Sequence, residues 1–243
     1  MGTSNRSADA SHLPKQGGDT GPGPPPGLPT QRRGTTPQMQ GRYPDYDVLA
    51  AADHWDPLTR RVVFDRVAQP PEIRFFAAEQ ERTLRAFCDV VMGQDSDPRI
   101  PALEMVDAKL YTGKLDGYRY ADMPSDPETW QQVAAALDSA ARACEQGADF
   151  ADLDSEAQHQ IVDAFSRGEL AMDIPAKLAW GVVMRGVLGA FYSHPWAWNE
   201  IGFGGPAYPR GYARLGPGQR EHWEAPPEFS VDPVSDVSER GLE

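Results

Sequence analysis

Five histidines, two cysteines and a few closely spaced carboxylates are the side chains here with types suited to catalysis or ligation. None of His12, His54, His159, His194 and His222 forms an H-x-x-x-H pair or has a cysteine at ligand spacing, so no zinc site is expected. C-x-x-C-H is absent, which argues against covalent haem. Asp53 and Asp56 bracket His54, and Asp95 and Asp97 share a loop. Paired carboxylates can serve acid–base chemistry or hold metals. Here Asp56 stands before Pro57 as a helix cap, and Asp95-Ser96-Asp97-Pro98 has turn chemistry. No G-x-S-x-G, S-x-x-K or P-loop pattern occurs. Gly202-x-Gly204-Gly205 lacks a preceding strand and is followed by Pro206, which is not a dinucleotide-binding turn. The expectation is no catalytic, cofactor-binding or metal-binding residue in this chain. His194 precedes Pro195, which favours an extended backbone there. It is expected to cap the helix before it as a cation near the last carbonyls, with contact to a partner as the alternative. Cys88 and Cys144 lie in apolar helical stretches; two buried free thiols are expected, with a disulfide left open.

These side chains must be positioned by helices. Asp56 and Pro57 start a short one that carries Val62, Val63 and Val67 and ends at Pro70-Pro71. A second is expected over about Ala77 to Met92, where Leu84, Phe87, Cys88 and Val91 recur at three- and four-residue steps. Gly93 stops it. Pro101 opens a third, with Leu103, Val106 and Leu110 inward. The stretch from Asp116 to Pro124 reads as an ordered loop. Ser125-Asp126-Pro127-Glu128 starts a fourth that runs to Cys144, with Trp130, Val133, Leu137, Ala141 and Cys144 on one stripe. A fifth spans about Asp154 to Ser166. The last begins after Asp173-Ile174-Pro175 and is apolar nearly all round, so it should be central and covered. Its glycines Gly181, Gly186 and Gly189 imply close approach of another helix, since each lowers helix propensity by roughly 1 kcal/mol. No alternating strand run is visible. The fold class expected is all-α, an irregular bundle of about six helices.

Three regions follow. Residues 1–41 are poor in hydrophobes and contain Gly21-Pro22-Gly23-Pro24-Pro25-Pro26-Gly27, so they are expected to form a disordered tail. Residues 42–225 form the helical domain, and 226–243 a flexible acidic tail. The chain has 243 residues, a formal net charge of -13 and a pI of about 4.8. Such a surface repels phosphate backbones and anionic headgroups, so nucleic acid is not an expected partner. No apolar run reaches the roughly 20 residues of a membrane span. The N-terminus has no apolar run after its basic residues, so a signal peptide is not expected.

After the last helix comes Ser193 to Tyr212, with four glycines, three prolines and five aromatics. Glycine and proline fix turns, while Trp and Tyr carry large apolar area with a polar end. Tyr, Trp and Arg are enriched at interface hot spots. An ordered aromatic loop that docks a partner is expected, with His194, Trp196, Trp198, Asn199, Tyr208, Arg210 and Tyr212 as contacts. Folding back over its own helices is the alternative.

The segments His194-Pro195-Trp196-Ala197-Trp198-Asn199-Glu200 and Gly204-Gly205-Pro206-Ala207-Tyr208-Pro209-Arg210-Gly211-Tyr212 resemble the signature of the gluconate 2-dehydrogenase subunit 3 family. Leu84 to Leu110, the Gly117-to-Pro124 loop and Trp223-Glu224 extend the resemblance over about residues 43 to 224. It implies a small accessory subunit of a sugar or alcohol dehydrogenase. The large subunit is a flavoprotein of the glucose-methanol-choline type that carries FAD, and some complexes add a cytochrome subunit. It implies support of that flavoprotein's folding, stability or export. The alternatives are a transient chaperone and a stand-alone enzyme with a pocket around His194, Asn199 and Arg210. Many members bear a twin-arginine signal, whereas this chain has a proline-rich tail. The compartment expected is therefore the cytoplasm, or the periplasm by export with a signal-bearing partner.

Overall fold

Residues 27–31, 43, 46–115, 117, 119–144, 147–213, 216, 219, 221 and 223–225 are described in a computed structural model of the chain. Among them the regular structure is helical throughout. A 3-10 turn, Val48–His54, is followed by α1 (Pro57–Ala68), α2 (Ala78–Met92), α3 (Ala102–Tyr111) and α4 (Asp126–Cys144). A second 3-10 turn, Phe150–Asp152, leads to α5 (Ser155–Arg167), α6 (Ala176–Phe191) and α7 (Pro195–Ile201). The all-α expectation holds, with seven α-helices among the described residues where about six were expected.

The starts follow their caps. Asp56 accepts from Leu58 N and Thr59 N, and Pro57 occupies the first position, where a missing N–H does no harm. Ser125 and Glu128 form a reciprocal box at α4: Ser125 N donates to Glu128 Oε2 at 3.0 Å, and Glu128 N to Ser125 Oγ at 3.4 Å. Asp154 caps α5 through Ala157 N.

Helices α2 to α6 form the body. α6 packs against α3, α4 and α5, and α2 against α3, α4, α5 and the second 3-10 turn. Phe87, Phe165 and Trp180 meet at its centre, with Phe165 and Trp180 edge to face at 5.2 Å. Trp130 is buried over Gly186, where an added Cβ would stand 3.0 Å from its ring. That glycine provides the close approach expected of the trio. Gly181 and Gly189 do not, since nothing lies within 4 Å of a Cβ at either. They face outward with Arg185, Leu188 and Tyr192, so α6 is covered on one side only. α7 packs on α1 and on the first 3-10 turn.

Other expectations change. Cys88 is buried as expected but Cys144 is exposed, and both are free thiols; the last turn of α4 extends past the core, with Arg142 and Ala143 exposed as well. The acidic pairs are used structurally. Asp53 pairs with Arg60 at 3.6 Å, and Arg99 reaches Asp89 at 3.1 Å and Asp97 at 3.8 Å. Of residues 1–41, residues 27–31 are described and lie against the domain, with Leu28 packed on the core. His12, His222, Asp116, Tyr118 and the expected acidic tail 226–243 lie outside the described residues.

One buried carboxylate ties the segment before α2 to the body. Asp107 on α3 is fully buried and accepts the N–H groups of Arg74, Phe75 and Phe76 at 2.8, 2.9 and 2.9 Å. Three consecutive backbone donors are thereby satisfied, and the innermost, Phe76 N, would otherwise be buried without a partner. Asp107→Ala is expected to lower the unfolding free energy in urea by about 3 kcal/mol. The exposed control Asp163→Ala should change it by roughly 0.5 kcal/mol or less. Equal effects would contradict this role.

Candidate partner-docking site

The segment from Tyr192 to Tyr212 divides into a buried platform and an outer rim. The platform is α7, which the density of glycine, proline and aromatic residues had suggested was a loop. Its start is legible in retrospect. His194 has the extended backbone of an N-cap (φ -90°, ψ 138°) and Pro195 holds the first helical position. His194 Nδ1 accepts Trp196 N at 3.2 Å, and Nε2 faces Arg66 O at 3.0 Å. The ring is therefore the neutral tautomer that donates from Nε2. Burial pushes its pKa down to about 4. This overturns the capping expectation for His194: it caps the helix after it, uncharged, and its side chain is 1% exposed in the free chain.

Trp196 and Trp198 are each 6% exposed. Trp198 Nε1 donates to Tyr192 O at 2.7 Å, and its ring meets Phe203 edge to face at 5.7 Å. Arg66 of α1 lies over the same indole at 5.9 Å and donates to Ser193 O at 2.5 Å. Trp196 stands edge to face with the His194 ring at 5.0 Å. Asn199, 3% exposed, accepts Val48 N through Oδ1 at 2.7 Å and donates through Nδ2 to Gln31 Oε1 at 2.7 Å. Trp196, Trp198 and Asn199, expected as direct contacts, are thus buried in the free chain, with the Trp198 nitrogen and the Asn199 carboxamide engaged inside the protomer.

Two glycines close the platform. Gly202 ends α7 with φ 66°, and a Cβ there would strike the Tyr43 ring at 2.6 Å. Gly205, with φ 74°, would strike Val48 Cγ2 at 2.8 Å and Trp55 Cζ2 at 3.0 Å. Both need glycine twice over, for backbone conformation and for space.

The rim follows. Tyr208 is 66% exposed and Tyr212 41%. Arg210 lies between them in sequence, half-buried, with its guanidinium 4.3 Å over the Trp223 ring. Its Nη2 donates to Gly204 O, while Nε and Nη1 are buried without a hydrogen-bond partner among the described residues. Trp223 is the plate beneath this rim, with Tyr212 at 6.2 Å and His54 at 6.4 Å. Tyr46 donates to Trp223 O at 3.1 Å, and burial raises its phenol pKa to about 12. Glu221, also buried, accepts Ala213 N at 2.5 Å. Arg66, Gln31, Tyr46 and Trp55 went unnoticed in the sequence, where nothing marks a long-range partner.

The three residues of the alternative enzyme pocket are held apart in function. His194 serves Arg66 and Trp196, Asn199 serves Val48 and Gln31, and Arg210 serves Gly204 and Trp223. No hydrogen bond joins any two of them among the described residues. No helix among the described residues is long and apolar enough to cross a membrane.

Fold and site together define an all-α protein whose most distinctive region is a structural platform with an aromatic rim. The chain belongs to the gluconate 2-dehydrogenase subunit 3 family, whose model matches residues 78–205, just over half of the chain. No curated protein and no solved structure matches it.

The neutral cap sets a pH dependence. The folded pKa of His194 lies below the unfolded value of about 6.5, so below that pH the unfolded chain binds a proton that the folded chain refuses. Stability from this group is complete above about pH 6.5 and is lost as pH falls towards 4. Asp89, pushed up to about 6 by burial, acts with opposite sign, so a variant must isolate the histidine. Between pH 7 and 5 the wild type should lose about 2 kcal/mol of unfolding free energy relative to His194→Asn. Parallel pH profiles would refute the neutral cap.

Proposed function

We propose that this chain is an accessory subunit that binds and stabilises a larger dehydrogenase subunit, a flavoprotein of the glucose-methanol-choline type that holds the FAD. One observation carries the reading: the family match runs through the whole of α7 to Gly205, and so ends where the rim begins. The chemistry of the rim supports it. Tyr208 and Tyr212 combine apolar area with a hydroxyl at low entropy cost, and Arg210 adds a charge held in place by Trp223. Exposed Ile201 and Phe203 lie beside them in the chain and add apolar surface. Any cofactor of the reaction belongs to the partner in this reading, as does the substrate site. Compartment follows the partner too, by co-export or by a shared cytoplasmic residence.

The two layers of the site separate by mutation. Tyr208→Ala should weaken co-purification with the flavoprotein at least about tenfold, a loss typical of an anchor worth 1.4 kcal/mol or more. It should leave the thermal midpoint of the free chain unchanged. Trp198→Ala should instead lower the stability of the free chain by about 3 kcal/mol. The flavin absorbance of the co-purified material identifies the partner. A chain that neither co-purifies with a flavoprotein nor alters its soluble yield on co-expression would end the proposal.

A further inference from the structure

The segment Gly27–Gln31 reaches α7 from the far end of the sequence. Among the described residues its backbone makes no hydrogen bond, and Pro29 has no N–H to give. Its polar attachment is the Gln31 carboxamide alone. Nε2 donates to Trp196 O at 3.0 Å and to Glu200 Oε1 at 3.1 Å, while Oε1 accepts Asn199 Nδ2 at 2.7 Å. Leu28 supplies the apolar contact by packing on the core.

Every polar position of that contact has a defined sense. The receiving face offers two acceptors, a carbonyl and a carboxylate, beside one amide donor. Asn199 cannot turn its amide to suit another ligand, because Oδ1 is engaged by Val48 N at 2.7 Å. A carboxamide satisfies all three positions at once. A carboxylate in its place would lose both donations and set its charge against Glu200 and the Trp196 carbonyl. We infer that the outer face of α7, formed by the Trp196 carbonyl, Asn199 and Glu200, is a recognition site for an extended peptide bearing a glutamine side chain, filled in cis by Leu28–Gln31. Side chains supply the specificity and the tether supplies the effective concentration. The inference concerns this chain alone and stands whether or not the flavoprotein reading does.

The test uses the full chain labelled with 15N, in which the side-chain amide signals of Asn199 report on the site. In Gln31→Glu those signals should move away from their wild-type positions, while backbone signals of α2 to α6 stay in place. A synthetic peptide of sequence Gly-Leu-Pro-Thr-Gln, added to Gln31→Glu at millimolar concentration, should return them towards the wild-type positions. The same peptide ending in Glu should bind roughly tenfold more weakly or worse. Unchanged Asn199 signals in Gln31→Glu would overturn the inference. So would equal binding of the two peptides, or binding of neither.

Discussion

The carboxamide of Asn199 holds together three stretches of chain that lie far apart in the sequence. Its oxygen takes the N–H of Val48 and its nitrogen reaches Gln31, while its own helix carries the two buried indoles. A seven-residue helix such as α7 is too short to be stable alone. It persists here because His194 satisfies its first turn, Gly202 ends it, and α1 and the first 3-10 turn pack against it. With α7 fixed, Phe203 to Arg210 start from a rigid base. Loss of that base would leave the Arg210–Trp223 stack as the remaining hold on Tyr208, Arg210 and Tyr212, and ordering them at a partner's surface would then consume more binding energy.

The rim has its own anchor. Arg210 and Trp223 stack at 4.3 Å, and Gly204 is small enough to let the indole approach. Two nitrogens of the Arg210 guanidinium are buried without a hydrogen-bond partner among the described residues. A buried donor left without an acceptor is unfavourable. Stacking on the Trp223 indole offsets part of that cost. The acidic charge of the whole chain fits the same picture only as a source of solubility.

Much of the body was legible in the sequence because its helices announce themselves locally. Asp56-Pro57, Ser125 to Glu128 and Asp154 each state a start, and the apolar spacing in α2, α4 and α5 states a face. α7 escaped because seven residues hold too few turns for a periodic signal, and because tryptophans beside glycines look alike in a core and in an interface. That ambiguity also explains why Trp196, Trp198 and Asn199 were expected to touch a partner. The sequence indicates that they bury well but not against what. His194 was misread for a related reason. Its proline neighbour marked an extended residue, yet burial and the amide of Trp196 at Nδ1 keep the ring neutral, while the carbonyl of Arg66, 128 positions away, selects the tautomer. α6 was read as covered all round because apolar composition does not say how many neighbours a helix has.

In the docking reading α7 is already built in the free chain and binding falls on the rim. Amide hydrogen exchange of the free chain and of its complex with the co-purified flavoprotein tests this most directly. Residues 195–201 should exchange slowly in both states, while the amides of Tyr208, Arg210 and Tyr212, which make no backbone hydrogen bond among the described residues, should exchange quickly in the free chain and become protected in the complex. Fast exchange across 195–201 in the free chain, slowed only by the partner, would contradict the claim, because the platform would then form on binding.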